Sequence, residues 1–207
     1  MAEDSSTNSR LSTIIRARRT RKPVSFKDAP HPSKICELID IARHAPNHHR
    51  TEPARFYLLD EERIKQVGQM FGETIQGDGK DPLLAEKGEK KAREWGSSPG
   101  LLIVTSSTDL NSKLVRKNPE SAMEDYATVC CICQNLLILM EEEKISSKWS
   151  TGPVWNHPDF AKTVGLKNPS MEKVVALIFY GFCDQSIDAR LLAPIDEQLV
   201  NHCSSTK

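Results

Sequence analysis

Lys173-Val-Val-Ala-Leu-Ile-Phe-Tyr-Gly-Phe182 is apolar at nearly every position. A strand with one wet face alternates; a strand without alternation is covered on both sides. Residues 173–182 therefore predict a central strand. The second deciding stretch is residues 120–143, the longest helical pattern in the chain. Tyr126, Val129, Cys130, Cys133, Leu136, Leu137 and Met140 share one side of that helix. Ile132, Ile138 and Leu139 carry the apolar surface round the cylinder, which predicts a buried helix. A buried strand beside a buried helix predicts a layered α+β domain.

Working outward, residues 9–19 predict a helix through Leu11, Ile14 and Ile15, ended by Pro23. A helix from Ser33, as N-cap, to about His44 follows from Ile35, Leu38, Ile39 and Ala42. A loop holding two prolines spans residues 45–53, and a short strand spans 55–59. Residues 60–72 read as a helix, 72–82 as a Gly-rich break and 83–95 as a charged helix. A strand over 101–105 leads into a loop through Pro119. An extended piece over 146–151 and a short helix over 157–164 precede the central strand. Residues 1–8 are expected to be a disordered tail; residues 9–207 form one domain with an irregular C-terminal arm from Cys183.

The 207 residues carry 28 basic and 28 acidic side chains, a net charge of zero. That balance argues against polyanion binding by the whole chain, so no nucleic-acid partner is expected. An apolar share of 38% and a charged share of 27% fit a soluble globular protein. No unbroken apolar run reaches membrane-spanning length, so no membrane partner is expected. The polar N-terminus has no apolar h-region, which points to a cytoplasmic protein. The six cysteines then read as reduced thiols.

Familiar catalytic signatures are missing. Cys130-Cys131-x-Cys133 lacks partners at zinc-site spacing, and His48-His49 has no nearby flanking carboxylate and His pair. There is no G-x-S-x-G, no G-x-G-x-x-G after a strand and no Walker A. What remains is the basic run of Arg16, Arg18, Arg19, Arg21 and Lys22, with Thr20 among them. Arginine stays charged and its fork matches phosphate oxygens. A solvated helix end and a nucleic-acid patch stay open as readings of the run itself.

Taken with two further segments, the run resembles a known family. Ala17-Arg-Arg-Thr-Arg21 resembles the R-R-S-x-R motif that ends the first helix of the nitroreductases. His44-Ala-Pro-Asn-His-His-Arg-Thr-Glu-Pro53 resembles their A-P-D-H-K-x-x-Q-P-W loop. Lys148-Trp-Ser-Thr-Gly152 resembles their W-R-S-G or W-x-T-G segment, and Tyr180-Gly181 their Y-x-G strand end. The resemblance covers residues 9–194 and is closest to the small single-domain members. It implies a central, mostly antiparallel sheet wrapped by helices, in an intertwined homodimer with FMN at the interface. It implies an oxidoreductase that passes a hydride from NAD(P)H through flavin N5 to a nitroaromatic, quinone or similar acceptor, in ping-pong order.

By the same resemblance, Arg18, Arg19 and Thr20 hold the FMN phosphate and ribityl chain. His44 and His48 line the flavin, and Trp149, Ser150 and Thr151 reach its ring in the other subunit's site. No acid or base is demanded, so no catalytic residue and no metal is assigned. Two departures stand out. Glu52-Pro53-Ala54 replaces Q-P-W, so a carboxylate faces the flavin, solvent, or Arg50 or Arg55. Ser150 replaces an arginine after Trp149, so one cation is missing. Both departures keep open a flavin-binding module or sensor without turnover.

Overall fold

The structure is a computed structural model that describes residues 9–188 and 190–195. The expected tail, and the far end of the expected arm with Cys203, lie outside the described residues. Four strands form one sheet: β1 (Ala54–Leu58), β2 (Gly100–Ser107), β3 (Ser146–Ser150) and β4 (Glu172–Gly181). Their order is β1-β2-β4-β3 and every neighbouring pair is antiparallel. The apolar run that predicts a central strand is β4, paired on both edges.

Seven helices accompany the sheet among the described residues: α1 (Arg10–Ala17), α2 (Pro32–Ala42), α3 (Glu61–Gln76), α4 (Pro82–Gly96), α5 (Lys113–Lys117), α6 (Ser121–Glu142) and α7 (Phe160–Val164). Two cores result, one on each face of the sheet. α2 and α6 bring Ile35, Leu38, Val129, Cys133, Leu136 and Met140 against Leu102, Val104, Ile178 and Tyr180. α3, α4 and α7 bring Ile64, Val67, Trp95 and Phe160 against Leu101, Ile103, Leu177 and Phe179. The register shifts between Val104 and Thr105, where Val175 is the extra residue on β4. That bulge lets Val175 and Ala176 both pack on the α6 side.

Several expectations are corrected. His31, not Ser33, caps α2: its Nδ1 accepts from the Ser33 N–H at 3.3 Å. α3 runs past the expected break to Gln76 and stops at Gly77, whose φ of 61° an L-residue rarely adopts. α3 and α4 also pack unusually close. A Cβ on Gly68 would lie 2.5 Å from the Gly96 nitrogen. The loop before Pro119 contains α5, capped by the Ser112 hydroxyl on the Val115 N–H. α6 is not buried all round: Met123 and Cys131 face out, while Val129, Cys133 and Leu136 face in. By length and hydropathy α6 suffices to cross a membrane, against the expectation from apolar runs. Its packing against the sheet accounts for that apolarity.

One polar knot ties the sheet at the start of β4. Glu172 is buried, and its carboxylate accepts from the Tyr57 hydroxyl at 2.8 and 2.9 Å and from Thr105 Oγ1 at 2.6 Å. It also accepts from the Asn168 N–H at 2.9 Å. Burial pushes its pKa up, but the bonds from Thr105, Asn168 and Tyr57 and the charge of Arg55 outweigh that and hold it below the ordinary value. A depressed carboxylate adds stability above its unfolded pKa and loses it as pH falls through the folded one. Glu172→Ala should therefore cost about 3 kcal/mol in urea unfolding at neutral pH. Glu172→Gln should flatten the acid limb of the stability profile. A loss under about 1 kcal/mol, or an unchanged acid limb, would remove this carboxylate from the account.

Candidate functional site

α1 ends at Arg18, whose backbone turns extended (φ −56°, ψ 125°). The chain then runs beside β3. Thr20 forms a parallel bridge with Ser147, and the Arg21 N–H donates to the Ser147 carbonyl at 3.1 Å. β3 is an edge strand, so it has a free row of backbone groups to offer. The basic run and the Lys148–Gly152 segment, 125 residues apart or more in sequence for most pairs, are thereby neighbours in one chain.

The cations of the run divide into two groups. Arg19 is occupied: its guanidinium donates to the carbonyls of Asp188 (3.1 Å), Arg16 (2.6 Å) and Arg18 (2.8 Å). Arg21 Nη1 donates to the Gln185 carbonyl at 2.5 Å, but its Nε is buried without a partner. The half-buried Arg18 guanidinium has no partner among the described residues. Thr20 is exposed. Two arginines thus keep donors free beside an available hydroxyl, a set that suits a phosphate. The same stretch holds the segment after β4: Lys27 pairs with Asp184, its N–H donates to the Phe182 carbonyl (3.0 Å), and the Phe182 N–H donates to the Asp28 carbonyl (2.7 Å).

On β3 the side chains alternate. Trp149, opposite Ile178, packs into the α2–α6 core and donates its indole N–H to the Val175 carbonyl at 3.3 Å. Its ring is half-buried against that core. Ser150 is buried; Thr151 is exposed and precedes Gly152, which lies 3.6 Å (from its would-be Cβ) from the Phe71 ring. Lys148, opposite Phe179, points to the other layer. Its ammonium lies 3.5 Å from Glu94 Oε1 and 6.0 Å from the centre of the Trp95 ring. Glu94 also binds Lys91 at 2.5 Å. Burial lowers the Lys148 pKa; Glu94 opposes that, and Lys91 and Lys22 reinforce it. A groove of about 730 Å³ runs past Lys22, Lys90, Arg93 and Glu94. The sequence reading did not single out Lys148 or Glu94. The available signal was a lysine set inside a strand pattern.

His44 and His48 lie elsewhere. Their loop is fastened to the N-terminal part of α6, where buried Asp125 accepts from Thr51 Oγ1 (2.5 Å) and Thr108 Oγ1 (2.7 Å). Asn47 Oδ1 accepts from the Thr51 N–H at 3.1 Å. His49, Arg50 and Glu52 all have positive φ, between 51° and 58°, so the clamp holds a strained loop. Glu52 meets Arg55 through its carbonyl (2.8 Å), not its carboxylate. His44 is exposed, and His48 Nε2 is 3.9 Å from Glu124. His48, His49 and Glu124 place ligand atoms within 4.8 Å of one another, a carboxylate that adjacency in sequence did not reveal. Arg10 meets Glu142 at the opposite end of α6. Some 17 residues separate Asp125 from Glu142, about 25 Å of helix. The His48 loop is thus fastened toward the N-terminal end of α6, while Arg10 at the start of α1 meets its C-terminal end.

The nitroreductase family profile matches residues 15–182. The chain belongs to the nitroreductase family. YfhC of Bacillus subtilis (strain 168), named provisionally as an NAD(P)H nitroreductase, is 28% identical over 189 residues, 91% of this chain and 92% of that protein. Among solved structures, a nitroreductase-like family protein from Bacillus cereus has a TM-score of 0.74 at 24% identity, covering 95% of this chain and 97% of that one. An FMN-bound nitroreductase from Bacteroides fragilis has a TM-score of 0.68 at 15% identity, covering 89% and 95%. These likenesses establish the α+β nitroreductase fold.

The two arginine clamps make a prediction. Arg19→Ala combined with Arg21→Ala should speed hydrogen exchange in residues 184–188 about a hundredfold, since each of the two lost bonds to a charged donor is worth about 1.5 kcal/mol. Unchanged exchange there, read by mass spectrometry, would mean the clamps carry no weight.

Proposed function

We propose that this chain is a cytoplasmic, homodimeric, FMN-dependent oxidoreductase that uses NAD(P)H to reduce a nitroaromatic, a quinone or a similar small acceptor. Membership of the family supports an oxidoreductase. The observation that carries the cofactor is the free cation set beside β3: Arg18 without a partner, the orphaned Arg21 Nε and the Thr20 hydroxyl. These groups fit the phosphate and the start of the ribityl chain. When bound, FMN supplies a hydride acceptor at N5 and returns the hydride to the second substrate. The protein's part is then to hold, orient and shield.

Ser150, Thr151 and Gly152 continue from the cation set along the same strand and supply backbone toward the ring. His44 and His48, remote in one chain, reach the flavin only from a second copy. The apolar surface supports that copy: Leu11, Ile15, Ile41 and Met123 are each about half exposed or more. Isologous pairing would use each loop once on each partner. The five described cysteines are free, as suits a reducing compartment. Among these, Cys133 is buried, and burial pushes its thiol pKa far up, so it is inert packing.

Arg18 separates this proposal from a merely structural basic run. Arg18→Ala should weaken FMN binding about tenfold to a hundredfold, with an unshifted melting temperature of the flavin-free protein. Fluorescence titration of the flavin-free protein reads the affinity directly. An Arg18→Ala protein that binds FMN as tightly as the parent would remove the phosphate from this place.

A further inference from the structure

We propose that His48, His49 and Glu124 form a site for a divalent transition-metal cation, with Zn2+ as its simplest probe. The site goes beyond the flavin reading and stands without it. Three observations lead here. The first is proximity. Each of the three side chains places one ligand atom within 4.8 Å of the others. His48 Nε2 lies 3.9 Å from Glu124 Oε2, and the two imidazole centres are 4.0 Å apart. Ligand atoms round a tetrahedral Zn2+ sit about 3.4 Å from one another. The closure needed is therefore about 0.5 Å between His48 and Glu124, and at most about 1.4 Å elsewhere. Side-chain rotation supplies that, because all three residues are exposed.

The second is backbone. Adjacent residues on a regular helix or strand point apart, so two neighbouring histidines do not ordinarily share an ion. Here the turn at His48–Arg50 breaks at His49, whose backbone is left-handed (φ 58°, ψ 5°). The second ring lies beside the first, at an interplanar angle of 74°. Arg50 and Glu52 are left-handed too. Such backbone persists only where its surroundings over-determine it, and it concentrates at binding sites. The bond from the Thr51 hydroxyl to Asp125 supplies that constraint. It joins the second residue after His49 to the residue next to Glu124. Loop and helix thus hold the three ligands in one register. An exposed His48–Glu124 pair by itself contributes little, and it leaves the turn that gathers His49 without a role.

The third is chemistry. Two imidazoles and one carboxylate are a borderline donor set that suits Zn2+, Ni2+ or Cu2+; Mg2+ and Ca2+ call for oxygen ligands. Three protein ligands leave a fourth position to water. His48 and Glu124 line an open cleft of about 390 Å³ with Asn47 and Thr128, which keeps the ion within reach of solvent. The ion takes Nε2 of His48, the nitrogen on the Glu124 side, and leaves Nδ1 for the flavin contact proposed above.

The test is Zn2+ titration of the flavin-free protein, read by competition with a chromophoric chelator, beside His49→Ala and Glu124→Gln. Each substitution should weaken binding of the ion about tenfold or more. Both positions are exposed, so the metal-free variants should melt with the parent, and Zn2+ should raise the melting temperature of the parent alone. Excess Mg2+ should not displace the Zn2+. Cys36 and Cys131 are exposed thiols that compete for the same metals. Co2+ tells the two apart: a nitrogen–oxygen site gives weak d–d bands, without the intense charge-transfer absorption of a thiolate. Zn2+ held equally by the parent and both variants, or Co2+ held only with thiolate absorption, would overturn the proposal, as would a parent that binds no Zn2+. His49→Ala should bind FMN as the parent does. A parent that takes up Zn2+ but no FMN would overturn the cofactor reading and leave this site standing.

Discussion

The Arg21 N–H on the Ser147 carbonyl, with the Thr20–Ser147 bridge, is the contact on which the site depends. It is worth about 1 kcal/mol as a bond. Its consequence is larger than its energy. It occupies the open edge of β3, so the sheet is not left with an unpaired edge there. It also fixes the register between the basic run and β3, with Thr20 opposite Ser147. The segment after β4 then closes against the same run through Arg19, Arg21 and Lys27.

α6 imposes the second constraint. It is the long helix on one face of the sheet, and it separates the two halves of the sequence signature. The strained His48–Glu52 loop is bolted to one end by Asp125. The α1 end is held at the other by the Arg10–Glu142 pair. About 25 Å of helix lies between these two fastenings, and the proposed function includes a second copy for that reason. Leu11 and Ile15 on α1 and Met123 on α6 are exposed apolar positions.

Much of the fold was legible because it rests on continuous local patterns. The β4 run and the α6 stripe each announce burial on their own, and the order of strands and helices follows from turn residues between them. α5 was not legible: five residues with two leucine-sized side chains carry no period, and its helix depends on the Ser112 cap. The exposed face of α6 was misread because Ile138 and Leu139, read as carrying the apolar surface all round, are only half-buried, and Met123 and Cys131 are exposed. The resemblance singled out Arg18, Arg19 and Thr20 together. Arg19 could not be told apart from Arg18, since its role depends on a carbonyl 169 residues away. Which way Trp149 and Lys148 face was hidden for a similar reason: alternation on β3 is fixed by its pairing with β4, not by its own sequence. The clamp on the histidine loop stayed hidden because Asp125 lies 74 residues beyond Thr51.

Subunit complementation tests the divided site most directly. Arg18→Ala disables one half, and the double change His44→Ala with His48→Ala disables the other. Each variant, prepared alone, should bind FMN poorly. Unfolded together and refolded as a mixture, they should regain about a quarter of the sites at parental affinity, because each mixed dimer contains one intact pairing. A mixture that binds no more flavin than its separate components would contradict a site shared between two copies.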